Sequence, residues 1–129
     1  MKRTICSVAV ICGALTGCVT PEQAAMAYNS QQPATPHMKK EVVAYAKKTY
    51  FDPYSMRDVE ISYAMTPAGP AVSGVCLRAN AKNRMGAYTG LTATSLLFRN
   101  GTIASAWQGD PACNDPRLKY ERFTQLEAA

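Results

Sequence analysis

Apolar residues recur at two different spacings along this chain, and the spacings divide it into elements. Met38, Val42, Val43, Ala46 and Tyr50 return every three to four residues, which is one face of an α-helix. Lys39, Lys40 and Lys47 fall largely off that face. Thr35 can cap the helix, and Pro36 suits its first turn, where a missing N–H costs nothing. Lys47 and Lys48 complement the negative end of the helix dipole. Asp52-Pro53 stops the helix, because a residue before proline avoids the α region. The spacing then changes to two. Val59, Ile61, Tyr63 and Met65 alternate with smaller or polar partners, which predicts a half-buried strand. Pro67, Gly69 and Pro70 make a turn, and further strands are predicted over 72–81, 92–99 and 102–107. Asn100-Gly101 between the last two predicts a type I′ hairpin, since both residues tolerate positive φ. Gly109 to Pro116 reads as a loop. Arg117 to Leu126 adds a short strand or helix that docks through Leu118, Tyr120 and Phe123. The pattern predicts an α+β fold: an N-terminal helix packed on a four-stranded antiparallel meander, in two layers, with one disulfide.

The start of the chain follows another pattern. Lys2 and Arg3 precede an uncharged apolar run from Ile5 to Leu15, and small residues lead into Cys18. This is the layout of a secretory signal. The run is shorter than the ~20 residues a spanning helix needs. Leu15-Thr16-Gly17-Cys18 resembles the lipobox of bacterial lipoproteins. The resemblance implies cleavage before Cys18, a diacylglyceryl group on its thiol, and often acylation of the new amine. Two or three acyl chains, each contributing about 0.8 kcal/mol per buried CH₂, suffice for stable anchoring in a lipid bilayer. Val19 stands where an aspartate would signal inner-membrane retention, so the resemblance implies an outer-membrane lipoprotein facing the periplasm.

Three segments follow: a signal peptide over 1–17, a flexible tether over 18–35, and a small α+β domain over 36–129. The tether is polar, small and proline-containing, with little to bury. Removing 1–17 lowers Lys+Arg from 14 to 12 and leaves Asp+Glu at 9, so the net charge falls from +5 to +3. That mild charge is no nucleic-acid footprint, which needs clustered cations on one face. A domain this small buries only about 60–65% of its unfolded surface, so staples are expected. Cys6 and Cys12 leave with the signal and Cys18 is taken by lipid. Cys76 and Cys113 remain as an even pair in an oxidising compartment, and a disulfide between them is predicted. With His37 the single histidine and no Cys-x-x-Cys, no metal site or cofactor is predicted.

Phe51-Asp52-Pro53-Tyr54-Ser55 resembles the DPxS turn that follows the first helix in many small secreted bacterial proteins. The stretch from Val75-Cys76 through Asn80-Ala81-Lys82-Asn83 to Gly86-Ala87-Tyr88-Thr89-Gly90 resembles the VCGxVNAKNxxGGYxG signature of the same group of small envelope proteins and lipoproteins. The resemblance implies a fold and an envelope address, not a reaction. The chain departs from the signature at Leu77 and Ala87, where glycine is usual, and at Met85, where an aromatic is common.

The residues of that signature also carry the candidate chemistry. Asn80, Lys82, Asn83, Arg84 and Tyr88 combine amide donors, two cations and an amphipathic ring, which suits an anionic or sugar-bearing ligand or a protein surface. The competing reading is a structural connector, with Tyr88 packed on the sheet and the asparagines satisfying the turn. His37 reads as an exposed histidine in the first helical turn, and Asp52 as a turn residue. Asp58 and Glu60 read as solvated carboxylates on the outer face of the first strand. Trp107, following Ile103 and Ser105, reads as core. Ser55, Ser73, Ser95 and Ser105 lack a histidine partner for a hydrolytic triad. The expectation is therefore a non-catalytic, lipid-anchored interaction module with an envelope protein as partner. The alternative is a periplasmic inhibitor or ligand binder that presents the loop Asn80–Gly90 to a cell-wall hydrolase or glycan.

Overall fold

The computed structural model describes residues 20–66 and 71–127. The signal segment and Cys18 lie outside the described residues. The elements are helices α1 (Pro21–Asn29) and α2 (Pro36–Thr49), then strands β1 (Arg57–Ser62), β2 (Val72–Lys82), β3 (Tyr88–Arg99) and β4 (Thr102–Gln108). A 3₁₀ turn (Pro111–Asn114) and a short strand β5 (Tyr120–Arg122) complete the chain. One antiparallel sheet holds all five strands in the order β4-β3-β2-β1-β5.

The α+β architecture and the disulfide are thus present, but the sheet has five strands rather than four. Beyond β4 the chain crosses the sheet and returns as β5 on the far edge, where Tyr120 pairs Ser62 and Arg122 pairs Glu60. β5 is the strand alternative expected over 117–126, too short for alternation to decide between strand and helix. The helix predicted as N-terminal is the second of two. Thr35 Oγ1 accepts the Met38 N–H at 3.2 Å, the cap that the sequence predicts. Asn100 (φ 50°) and Gly101 (φ 80°) form the β3–β4 turn with both residues left-handed, as the hairpin requires.

The stretch read as a tether contains α1. Thr20 and Gln23 form a reciprocal capping box: Thr20 Oγ1 accepts the Gln23 N–H, and Gln23 Oε1 accepts the Thr20 N–H. Ala27 is buried, and the Tyr28 ring lies 4.1 Å from the Arg117 guanidinium. Gln31 donates to the carbonyls of Tyr28 and Arg117 and accepts the Lys119 N–H. An alanine, a ring and an amide hold this helix, so a count of large aliphatics misses it.

Alternation along β2 sorts the core. Val75, Leu77, Ala79 and Ala81 face α2, where Met38, Val42 and Ala46 meet them with Ile61, Leu96 and Phe98. Cys76 faces the other way, with Ala93, Cys113 and Leu118. The reverse face is therefore covered too, by α1 and the β4–β5 crossover, where the sequence predicts only two layers. The disulfide between Cys76 and Cys113 fastens that crossover to the central strand, and Tyr120 Oη donates to the Cys113 carbonyl at 2.6 Å. Further along the crossover, Arg117 beside Asp115 holds that carboxyl down to about 2.

Trp107 is not core; it is 61% exposed. A bulge explains the error. Leu97 pairs Ser105 while Phe98 pairs Ile103, so Ala104 is an extra residue. Ile103 then faces α2, whereas Ser105 and Trp107 face the opposite side.

Candidate functional site

The β2–β3 connection, residues 83–87, is a tight protruding turn. Asn83 Oδ1 accepts the N–H groups of Met85 (2.9 Å) and Ala87 (3.1 Å). Gly86 N–H donates to the Asn83 carbonyl and Asn83 N–H to the Ala87 carbonyl. Asn80 Oδ1 accepts the Gly90 N–H at 3.0 Å, beside the irregular register between Asn80 and Lys82. Both asparagines therefore spend their carbonyl oxygens on the backbone, the structural reading of these residues.

Tyr88 is likewise engaged. Its hydroxyl donates to the Ser55 carbonyl at 2.8 Å, which ties the turn to the α2–β1 connection. Its ring carries the Arg57 guanidinium at 4.2 Å and the Lys82 ammonium at 5.3 Å. Of the five predicted binding residues, the structure brings all into one region but leaves only the cations Lys82 and Arg84 uncommitted to hydrogen bonds within it.

What the sequence reading missed is the apolar half of this surface. Phe51 (61% exposed), Tyr54 (75%) and Met85 (91%) are large side chains presented to solvent. Phe51 and Tyr54 sit on the α2–β1 connection and Met85 at the tip of the turn that Tyr88 ties to it. Tyr50, at the end of α2, reaches Thr94 Oγ1 at 3.3 Å and lines an open groove of about 430 Å³ with Lys82, Asn83 and Thr92. Burial raises the Tyr50 phenol above its ordinary value. The available signal was that Phe51 and Tyr54 flank the helix stop at Asp52-Pro53, outside both the helix and the alternating run from Val59.

Charge completes the picture. Lys47 and Lys48 lie in the last turn of α2, Arg57 opens β1, Lys82 ends β2 and Arg84 stands on the β2–β3 turn. None belongs to the four ion pairs among the described residues, which join Lys39 to Glu121, Arg78 to Glu60, Arg117 to Asp115 and Arg122 to Glu127. Asp52 is the acidic residue of the same connection; its carbonyl accepts from the Ser55 N–H and hydroxyl, as a turn requires.

The remaining candidates are placed elsewhere. His37 is exposed, and its Nε2 donates to the Gly101 carbonyl at 2.7 Å, fastening the start of α2 to the β3–β4 turn. Glu60 is half-buried rather than solvated. It takes two hydrogen bonds from Arg78, whose guanidinium stacks 4.0 Å from the Tyr120 ring. Asp58 is exposed, with φ 52°, at the irregularity in β1. Among the described residues no three His, Cys, Asp or Glu side chains converge, and no helix is long and apolar enough to cross a membrane. No family model, curated protein or solved structure gives a significant match to this chain.

Proposed function

We propose that this protein is a lipid-anchored interaction module of the bacterial envelope. Its docking surface is the end formed by the α2–β1 and β2–β3 connections, and its partner is an acidic envelope protein. One observation carries the reading: three exposed large side chains, Phe51, Tyr54 and Met85, lie on two connections that Tyr88 ties together, and Arg57, Lys82 and Arg84 beside those connections form no ion pair among the described residues. Exposed aromatics and methionine supply contact area, and cations around them supply steering and selectivity. Membrane attachment rests on the lipobox-like sequence at Cys18, and Cys18→Ser should release the protein from the membrane fraction.

The docking reading is tested by a photo-crosslinking residue at Met85 in living cells. A discrete adduct is expected there, lost when Lys82→Glu and Arg84→Glu are introduced, and absent with the crosslinker at Asn100 on the opposite end. No adduct at Met85, or one indifferent to the charge reversals, overturns it.

A second reading is favoured by the stiffness of the turn. Met85 and Arg84 protrude from a turn that Asn83 pre-organises, which lowers the ordering cost of inserting it into a cleft. In that case the partner is a cell-wall hydrolase with an acidic cleft. The protein then inhibits lysozyme at micromolar concentration, and Arg84→Glu abolishes the effect.

A further inference from the structure

The two edges of the sheet differ. β5 is three residues long and sits among Lys119, Glu121 and Arg122, the short charged edge that resists pairing. β4 is seven residues long, Thr-Ile-Ala-Ser-Ala-Trp-Gln, with no charge and no proline. Among the described residues it has β3 as its single strand neighbour.

The backbone of that edge can be read residue by residue. Gly109 N–H donates to the Ala93 carbonyl at 2.7 Å. Hydrogen-bonded pairs recur at every second position of an antiparallel ladder. Ser95–Trp107 and Leu97–Ser105 are therefore the bonded pairs of β3 and β4. Ala106 and Gln108 point their N–H and C=O groups outward.

We propose that β4 is a homodimer edge, where a second copy of this chain adds its own β4 in antiparallel register about a two-fold axis at Ala106. Ala106 then exchanges both hydrogen bonds with Ala106 of the second copy. Trp107 falls opposite Ser105 of the second copy, on the same face, and its ring reaches the half-buried Leu97 next in that row. Small residues at the seam let the strands approach. A two-fold axis sets the edge against its own copy, so an edge without charge meets no like-charge repulsion. The pairing is centred on 105–107, on the far side of the Ala104 bulge from the hairpin turn. The two sheets become one of ten strands, and the exposed tryptophan is covered.

The chain has one tryptophan, so its emission reports on this seam alone. The experiment is sedimentation equilibrium of the full-length chain in mild detergent across the micromolar range, with emission spectra of the same samples. The mass is expected to double, with a shift to shorter wavelength along the same concentration curve. Ala106→Pro removes an outward N–H while leaving the bonds to β3 in place, and Ala106→Lys sets two cations across the axis. Each should hold the mass at one chain and keep the emission of exposed tryptophan. A wild-type mass that stays at one chain, an emission shift without a mass change, or dimers surviving both substitutions overturns the proposal. None of these outcomes bears on the basic end, which lies outside this seam.

Discussion

Removing the staple between Cys76 and Cys113 should remove a large fraction of the stability of this fold. The disulfide joins residues separated by 37 positions. In the chain-entropy treatment, closing a loop of that length destabilises the unfolded chain by about 4 kcal/mol at 25 °C. Both cysteines are buried, so Cys76→Ala with Cys113→Ala also gives up some sulfur packing. The expected loss is thus about 4–5 kcal/mol, against a total of roughly 5–15 kcal/mol for a typical domain. Urea unfolding followed by circular dichroism reads it directly. The double variant should show a lower midpoint and a steeper dependence on urea, because its unfolded chain exposes more surface. Thermal unfolding should begin a fall of roughly 15–25 °C in Tm. The damage should be local: the crossover over the reverse face should become the first segment cut by protease. A loss under about 1 kcal/mol would refute the argument. It would mean that Leu118, Tyr120 and the α1 contacts hold the crossover without the covalent link.

Stability should depend on pH at both extremes. Burial pushes the Tyr120 phenol up to about 12, with Arg78 pulling it down less strongly. The folded chain therefore holds this proton more tightly than the unfolded one. That contribution is intact below pH 10 and is lost as the pH rises toward 12, so Tyr120→Phe should flatten the alkaline fall in unfolding free energy. The same variant should cost about 1 kcal/mol at neutral pH through the lost bond to Cys113. At the acid end, Asp115 is held down to about 2 by Arg117, so its contribution is lost as the pH falls from about 4 through 2. Lys39→Met should destabilise the fold by about 1–2 kcal/mol in urea titrations. It strips Glu121 Oε1, a buried oxygen with no hydrogen bond of its own, of the ammonium 2.6 Å away.

The sequence by itself determined the helix from Pro36, the three long antiparallel pairings, the Asn100-Gly101 turn and the identity of the disulfide. Each depends on local physics: a period, a cap, a turn conformation, or cysteine chemistry. It also gathered the five polar residues of the β2–β3 region, because they are neighbours in the chain. Tertiary structure decided the rest. β5 and α1 exist through partners far away in sequence, Ser62 and Arg117, and carry little local signal. The bulge at Ala104 reversed the face of Trp107, since one extra residue inverts every later position of a period-two pattern. The docking surface arose the same way. The connections that carry Phe51, Tyr54 and Met85 are brought to one end by the Tyr88 bond to Ser55 across 33 residues. That bond also takes up the tyrosine that the sequence offered to a ligand. A chain's local preferences fix its elements, but which side chains remain for a partner depends on what the fold has already used.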